Sequence, residues 1–292
     1  MCSKKLSTRI SYCDQCKKDF RVSEGIFDFL EEDVIDSSIN AKNFTAQWEA
    51  TQDAEALFGF TVEDYVNTYE YAFFDDNPNF RSGEIFLDVG CGSAVALGTL
   101  AQKYPQLTVV GLDVSKTILN SRIDITNIPN LFLIRASLFK MPFSLQSIDY
   151  VFCSGVLHHL QVPRDGFDQL VNISSNKVYF WVYPRIGLDL YDTLRKLLPS
   201  AYLLSNTKRL YLSKYLAPIV WLSQRLGFRA SFKDLKESIA VIKLRIHDNI
   251  SPEFQFKYDS EEVKEWFQGK SHFTWRQINE LGFRLTLEKK SQ

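Results

Sequence analysis

The sequence predicts an α/β protein built as a three-layer sandwich on a mostly parallel central sheet. Three observations predict it. Five short, near-continuous apolar runs lie between residues 85 and 183, the pattern of strands buried on both faces of a parallel sheet. The intervals between them, roughly 20–30 residues, leave room for crossover helices. The first run enters a two-glycine turn that opens a helical pattern.

The elements follow in order. Ile85-Phe86-Leu87-Asp88-Val89 is the first strand, and Ala94 to Lys103 is the helix after the turn. Leu107 to Leu112 is the second strand. Asn120 to Asn130, polar and containing Pro129, connects into the third, Leu131-Phe132-Leu133-Ile134. Ile148 to Cys153 is the fourth and Val178 to Tyr183 the fifth. Residues 186–246 then read as helical. Leu190, Leu194, Leu197 and Leu198 form a stripe before Pro199, and Phe232, Leu235, Ile239, Ile242 and Ile246 form a 3-4-3-4 stripe. Between them, Tyr211 to Leu226 is rich in Leu and aromatics with interspersed bases. The whole stretch is expected as a helical insertion after the fifth strand.

Composition narrows the class. The chain has 292 residues, 45% apolar, with a net charge of −1. That excludes a disordered chain, a collagen-like repeat and a disulfide scaffold, and gives no global reason to expect nucleic acid or an anionic membrane as partner. The balance is a cancellation. Fourteen acids lie between Glu24 and Asp76 against the base Lys42, and nine bases lie between Arg185 and Lys233 against Asp189 and Asp192. The two segments either attract each other or remain separate solvated faces. Five cysteines without dense spacing, no apolar run after Met1 to Lys5, and no stretch near the roughly 18 residues of a membrane span predict a reduced, cytoplasmic protein with no transmembrane segment.

The most informative segment is Leu87-Asp88-Val89-Gly90-Cys91-Gly92-Ser93-Ala94-Val95. Gly90 and Gly92 let the backbone turn sharply and approach a ligand. A dinucleotide fingerprint needs glycine where Val95 stands, and a Walker loop needs a Gly-Lys-Ser/Thr that is absent. About 20 residues on, Asp113 at the second strand's tip can accept hydrogen bonds from ribose hydroxyls, and Ser115 is placed to cap a following helix. The third strand leads into Ala136-Ser137-Leu138-Phe139-Lys140-Met141-Pro142-Phe143. The fourth ends in Cys153-Ser154-Gly155-Val156-Leu157-His158-His159-Leu160.

In this order and spacing, LDVGCGSA, VVGLDVS, KMPF and IDYVFCSGVLHHL resemble the class I S-adenosylmethionine-dependent methyltransferases, in particular bacterial small-molecule enzymes. The resemblance covers residues 84–183 and implies a Rossmann-like core. It implies that Gly90, Cys91 and Gly92 form the turn under the cofactor's methionine part, with Asp88 orienting that turn. It implies that Asp113 and Val114 lie at the ribose, Ser137 and Leu138 at the adenine, and Ser154 at the methionine end beside the acceptor. Three positions depart from the family pattern. Ser137 stands where an acid often contacts the adenine amino group. Ala94 replaces the third glycine. Ser174-Ser175-Asn176-Lys177 replaces a Pro-Gly-Gly turn before the fifth strand.

The flanks carry resemblances too. Tyr12-Cys13-Asp14-Gln15-Cys16, followed by Gly25 to Leu30, is similar to the end of a zinc-ribbon prefix. A complete ribbon needs two CxxC knuckles, so Cys2, Cys13 and Cys16 are either zinc ligands or a metal-free remnant. Prefixes of this kind imply that one or two of Phe44, Trp48, Tyr69 and Tyr71 close over the cofactor. Asp248, Pro252 and Glu261 to Phe267 resemble the C-terminal part of related enzymes. Gly282 to Leu287 looks like the closing strand, which leaves a second closing strand to come from elsewhere or be missing.

His158 and His159 follow the fourth strand, where a methyl group would be presented. Either can serve as a general base for an oxygen nucleophile, or merely pack and shape the pocket. Cys91 and Cys153 read as small buried hydrophobes, and His247 and His272 as packing or surface residues. The expected organisation is a prefix at 1–35, a helical cap at 36–80, the core at 81–184, the insertion at 185–249 and a C-terminal completion at 250–292. The insertion is a lid, a peripheral membrane contact or a homo-oligomer surface. The expected activity is methyl transfer from S-adenosylmethionine to a small acceptor: a metabolite, a lipid precursor or a glycan precursor. The alternatives are methylation of RNA or protein, and a non-catalytic binding module.

Overall fold

The computed structural model describes residues 12–13, 18–19, 21–23, 26–30, 42–43, 45–46, 61–120, 123, 125–185, 190–225, 238–270 and 272–288. Cys2, Cys16, Phe44, Trp48, Phe232 and Leu235 lie outside them. Strands β1 (Tyr12–Cys13) and β2 (Lys18–Asp19) form a small antiparallel pair. Cys13 ends β1. Among the described residues, no group of three or more His, Cys, Asp or Glu is placed to hold a metal ion.

The remaining strands make one nine-stranded sheet. They are β3 (Arg21–Ser23), β4 (Ile26–Asp28), β5 (Ile85–Val89), β6 (Thr108–Asp113), β7 (Leu131–Arg135), β8 (Ile148–Ser154), β9 (Ser174–Trp181), β10 (Phe273–Asn279) and β11 (Gly282–Leu287). The order is β10-β11-β9-β8-β5-β6-β7-β4-β3. The run from β9 to β4 is parallel, and the pairs β9–β11, β11–β10 and β4–β3 are antiparallel.

Strand β5 is flanked by β6 on one side and β8 on the other, so the chain order reverses there. Open α/β sheets bind ligands in the crevice outside the carboxyl ends at such a switch point. That crevice is bounded by Val89, Asp113 and Ser154, the last residues of their strands.

Helices α1 (Val62–Phe73) and α2 (Val95–Lys103) cover one face of the sheet, packing on Phe86, Val109, Leu133 and Phe152. Helix α3 (Pro163–Ile173) and the helical segment that begins with α7 (Ser260–Lys264) cover the other, packing on Leu87, Val110, Val151 and Phe180. The period-2 alternation of β5 puts Phe86 and Asp88 on the α1 side and Leu87 and Val89 on the other. Gly111 in β6 is needed for this layering. A Cβ there would lie 2.8 Å from Leu97 and 2.9 Å from Cys91 Sγ.

Helix α1 is fixed at both ends. Thr61 and Asp64 form a capping box. Its last turn holds no base, yet its C-terminal carbonyls are paired from the sheet. Arg284 donates to Tyr71 O and Ala72 O at 2.9 and 2.7 Å, and Lys177 to Phe73 O at 2.8 Å. These are the acceptors a helix end otherwise leaves to water.

After β9 come α4 (Leu190–Leu197), α5 (Asn206–Arg225) and α6 (Ile239–Ile250), which share a separate core of Tyr191, Ala217, Val220, Ile242 and Ile246. The helical insertion is therefore present, with Pro218 inside α5.

Four details differ from expectation. The fifth strand begins at Ser174 rather than Val178, and Ser174 to Lys177 pair with β8 across a register shift. Ser115 caps no α-helix: residues 116–120 form a 3-10 turn, and the Ser115 hydroxyl is buried with no hydrogen-bond partner. The second closing strand, left between a source elsewhere in the chain and absence, is present. It is β10, which precedes Gly282 in the chain and pairs with β11 as a hairpin. Residues 26–28, assigned to a prefix distinct from the core, extend the core sheet as β4 beside β7, where Asp28 pairs with the buried Arg135 at 3.1 Å.

The acids of the N-terminal third meet bases of the core. Asp28 pairs with Arg135, Glu70 with Lys103, and Asp75 with Arg276 and Arg284.

Candidate active site

The floor of the crevice is the turn after β5. Gly90 takes φ +87° and Gly92 φ +56°, left-handed values that favour glycine. At Gly90 a Cβ would also fall 2.2 Å from Val156 Cγ2. Ala94, the departure from the third glycine, holds a left-handed φ of 61° just before α2.

The turn is held by β6. Gly90 N and Cys91 N donate to Leu112 O at 2.7 and 3.2 Å, and Gly92 N donates to Asp113 Oδ2 at 2.9 Å. Asp113 Oδ1 accepts from Ser115 N at 2.7 Å. The carboxylate is half-buried, and each oxygen keeps a second lone pair.

Asp88 points to the other side. Its Oδ2 accepts from the Tyr69 hydroxyl at 2.8 Å within the layer under α1. Burial raises its carboxyl to about 7, against the lowering effect of the Tyr69 hydrogen bond. The turn is thus tied to Asp113 and Leu112, whereas Asp88 anchors α1. Tyr69 is buried against Phe86 and Phe152, and Tyr71 donates to Ile278 O in β10 at the far sheet edge. Neither closes over the turn.

Ser137 Oγ accepts from Phe139 N and caps the 3-10 turn at Leu138–Lys140; Leu138 is buried. Val114 is half-buried, and its carbonyl accepts from Arg135 Nε. Ser154 ends β8, and a Cβ on the next residue, Gly155, would meet nothing within 4 Å. That open space lies at the carboxyl end of β8. Burial pushes the Cys91 and Cys153 thiols well above their usual value, as fits packing residues.

The two histidines differ in hydrogen bonding. His158 Nδ1 accepts from Tyr183 N at 3.3 Å, so its proton sits on Nε2, which is buried with no partner in the protein. His159 Nδ1 lies 3.0 Å from Phe254 O. A carbonyl only accepts, so Nδ1 carries the proton and Nε2 the lone pair. Burial lowers both rings below their usual value, keeping them neutral at pH 7.

Tyr183 stacks on His158 with centroids 3.8 Å apart and donates its hydroxyl to Asp248 at 3.1 Å. Phe256 N donates to His158 O, so Gln255 sits between two residues bonded to the histidine turn. Both side-chain heteroatoms of Gln255 are buried without a protein partner. His247 is buried beside Asn206 rather than on the surface. Sequence reasoning reached the histidines and, by resemblance alone, Asp248. It read Tyr183 only as a strand residue, and no sequence signal marked Gln255.

An α/β sheet with its crevice at a switch point, a glycine turn and an acid at the next strand tip define a nucleotide-cofactor-binding protein. Comparison makes the class specific. Residues 86–173 match the family model of the methyltransferase domain. The matched stretch holds the glycine turn, Asp113 and both histidines.

An uncharacterised protein of Rickettsia prowazekii (strain Madrid E) is 28% identical over 150 residues, 48% of this chain. The match spans 59% of that relative's length. PKMT2 of Rickettsia typhi, solved in complex with AdoHcy, shares the fold with a TM-score of 0.51 at 19% identity, over 76% of this chain and 44% of that one. Magnesium protoporphyrin IX methyltransferase of Synechocystis, solved with bound SAH, aligns with a TM-score of 0.49 at 12% identity, over 88% and 100% of the two chains.

Proposed function

We propose that this protein transfers a methyl group from S-adenosylmethionine to a small acceptor, a metabolite or a lipid or glycan precursor, held beside His158 and His159. The residues fit the cofactor. Asp113 has lone pairs for the ribose hydroxyls, Gly90 and Gly92 bring backbone close, Ser137 and Leu138 border the adenine, and Gly155 faces open space at the methionine end. Cys91 and Val114 complete this wall through their backbone, and Asp88 secures it from beneath through α1. The cofactor supplies the methyl group as an electrophilic sulfonium.

The observation that carries the acceptor assignment is the pair of opposed histidine tautomers. His159 Nε2 has the lone pair to take a proton from an acceptor hydroxyl or amine. His158 Nε2–H is a donor that orients the acceptor, and the Gln255 amide offers one donor and one acceptor beside it. Buried polar atoms left without protein partners are costly unless a ligand or water meets them. Burial keeps His159 neutral, the form a base needs.

Calorimetric titration with S-adenosylmethionine tests the reading. Binding by the intact protein, weakened about tenfold or more in Asp113→Ala, is expected. No binding by the intact protein sinks it and favours a non-catalytic module. Unchanged affinity in Asp113→Ala sinks the ribose assignment.

A further inference from the structure

The insertion packs inward through Ala217 and Val220 of α5 against Ile242 and Ile246 of α6. The opposite face of α5 is apolar too. Tyr211, Tyr215, Ile219 and Leu222 are 55%, 68%, 64% and 54% exposed. Their 4-4-3 spacing, at about 100° per residue, confines them to a stripe on the side away from Ala217 and Val220. Leu203 and Leu204, in the turn entering α5, are exposed as well. A helix apolar all round belongs where both sides are covered, and clustered exposed apolar side chains mark an interaction surface.

The helix that carries this stripe has charge of one sign. From Thr193 to Arg225 the chain has six bases and no acid. Arg195 is turned onto the carbonyls of Asn249 and Pro252, and Arg209 onto those of Tyr202 and Leu204. Lys196, Lys208, Lys214 and Arg225 are exposed. A two-fold contact of this face with a second copy would set bases against bases, which is unfavourable. An anionic lipid surface meets both features at once. Tyr and aliphatic side chains enter the headgroup boundary, while lysines reach the phosphates.

We propose that the outer face of α5 seats this protein on an anionic lipid surface, the helix lying in the interface plane. No helix among the described residues is long and apolar enough to cross a membrane, so this contact is peripheral.

The test sediments the full chain with phosphatidylcholine vesicles, with and without phosphatidylglycerol, at low and high salt. Binding to the anionic vesicles about tenfold or more above the neutral ones, and lost at high salt, is expected. Lys208→Gln and Lys214→Gln each weaken it about fivefold. The double variant Tyr215→Ser/Ile219→Ser weakens it about tenfold or more, at an unchanged melting temperature. Ile219→Ser alone serves if the double variant unfolds. No sedimentation with anionic vesicles at low salt overturns the proposal, as does binding that the serine variants leave intact. A dimer in analytical ultracentrifugation that the serine variants dissolve assigns the face to a second copy and also overturns it.

Discussion

The Tyr69 hydroxyl donates to Asp88 Oδ2 at 2.8 Å in the buried layer between α1 and β5. The same hydrogen bond lowers the Asp88 carboxyl that burial raises, so the pair holds a carboxylate where the apolar layer alone would neutralise it. Tyr69→Phe leaves the ionised form without this donor. We expect a loss of about 1–3 kcal/mol at pH 8, smaller at pH 6, read by urea unfolding at both values. An equal loss at the two pH values would show that the hydroxyl does not serve the charge.

Asp88 and His247 oppose each other as pH falls. Asp88 is raised to about 7 in the fold, so its contribution is present at low pH and fades as pH rises through 7. Burial lowers His247 to about 4, so the unfolded chain takes up its proton first and stability falls below about pH 6.5. Between pH 7 and 5 the first gains about 2 kcal/mol and the second loses about 2 kcal/mol. Asp88→Asn removes the gain and leaves the histidine loss uncovered. The variant should lose stability on acidification more steeply than the native protein, and parallel curves would refute this.

The histidine roles can be checked without an acceptor. Long-range proton–nitrogen spectra at pH 7 should show the Nε2–H form for His158 and the Nδ1–H form for His159. The reverse pattern would exchange their roles. Once an acceptor is in hand, His159→Gln should lower kcat by about 10²–10⁴ and remove the acid limb of the pH profile. That limb lies below the ordinary histidine range, because burial lowers the ring. His158→Gln should act mainly on KM.

Arg195 donates to Asn249 O, Pro252 O and Glu253 O at 2.8, 2.8 and 2.9 Å. These bonds hold the segment leading to Phe254, the partner of His159. Arg195→Ala should cost about 2–3 kcal/mol and broaden the His159 Nδ1–H signal. A sharp, unshifted signal would show that the segment is held by other contacts.

The parallel strands were legible because each is a short apolar run with a polar boundary, as at Ile85–Val89 and Leu131–Arg135. The start of β9 was not, because Ser174 to Lys177 are polar and enter the sheet through a register shift. Strand β10 was missed for a similar reason. Thr274, Trp275 and Arg276 are exposed at the sheet edge and give no apolar alternation. At the site, the glycine turn and Asp113 follow from local backbone needs that a sequence displays. Which ring nitrogen bears a proton, and where Gln255 sits, depend on Tyr183 and Phe254. These pairings span 25 and 95 residues and leave no local pattern.

The seating of β4 beside β7 has a consequence for the order of assembly. Residues 26–28 are synthesised early, yet their partners Ile134 and Arg135 arrive more than a hundred residues later. The β3–β4 hairpin can close locally, but it has no sheet edge to join until β7 emerges. Arg135, 2% exposed in the finished protein, receives the Asp28 carboxylate only when that hairpin docks. With the hairpin in place, Asp28→Ala would leave that buried guanidinium without its carboxylate, at a cost of about 3–5 kcal/mol. An early hairpin of the sheet thus waits on a strand made more than a hundred residues after it.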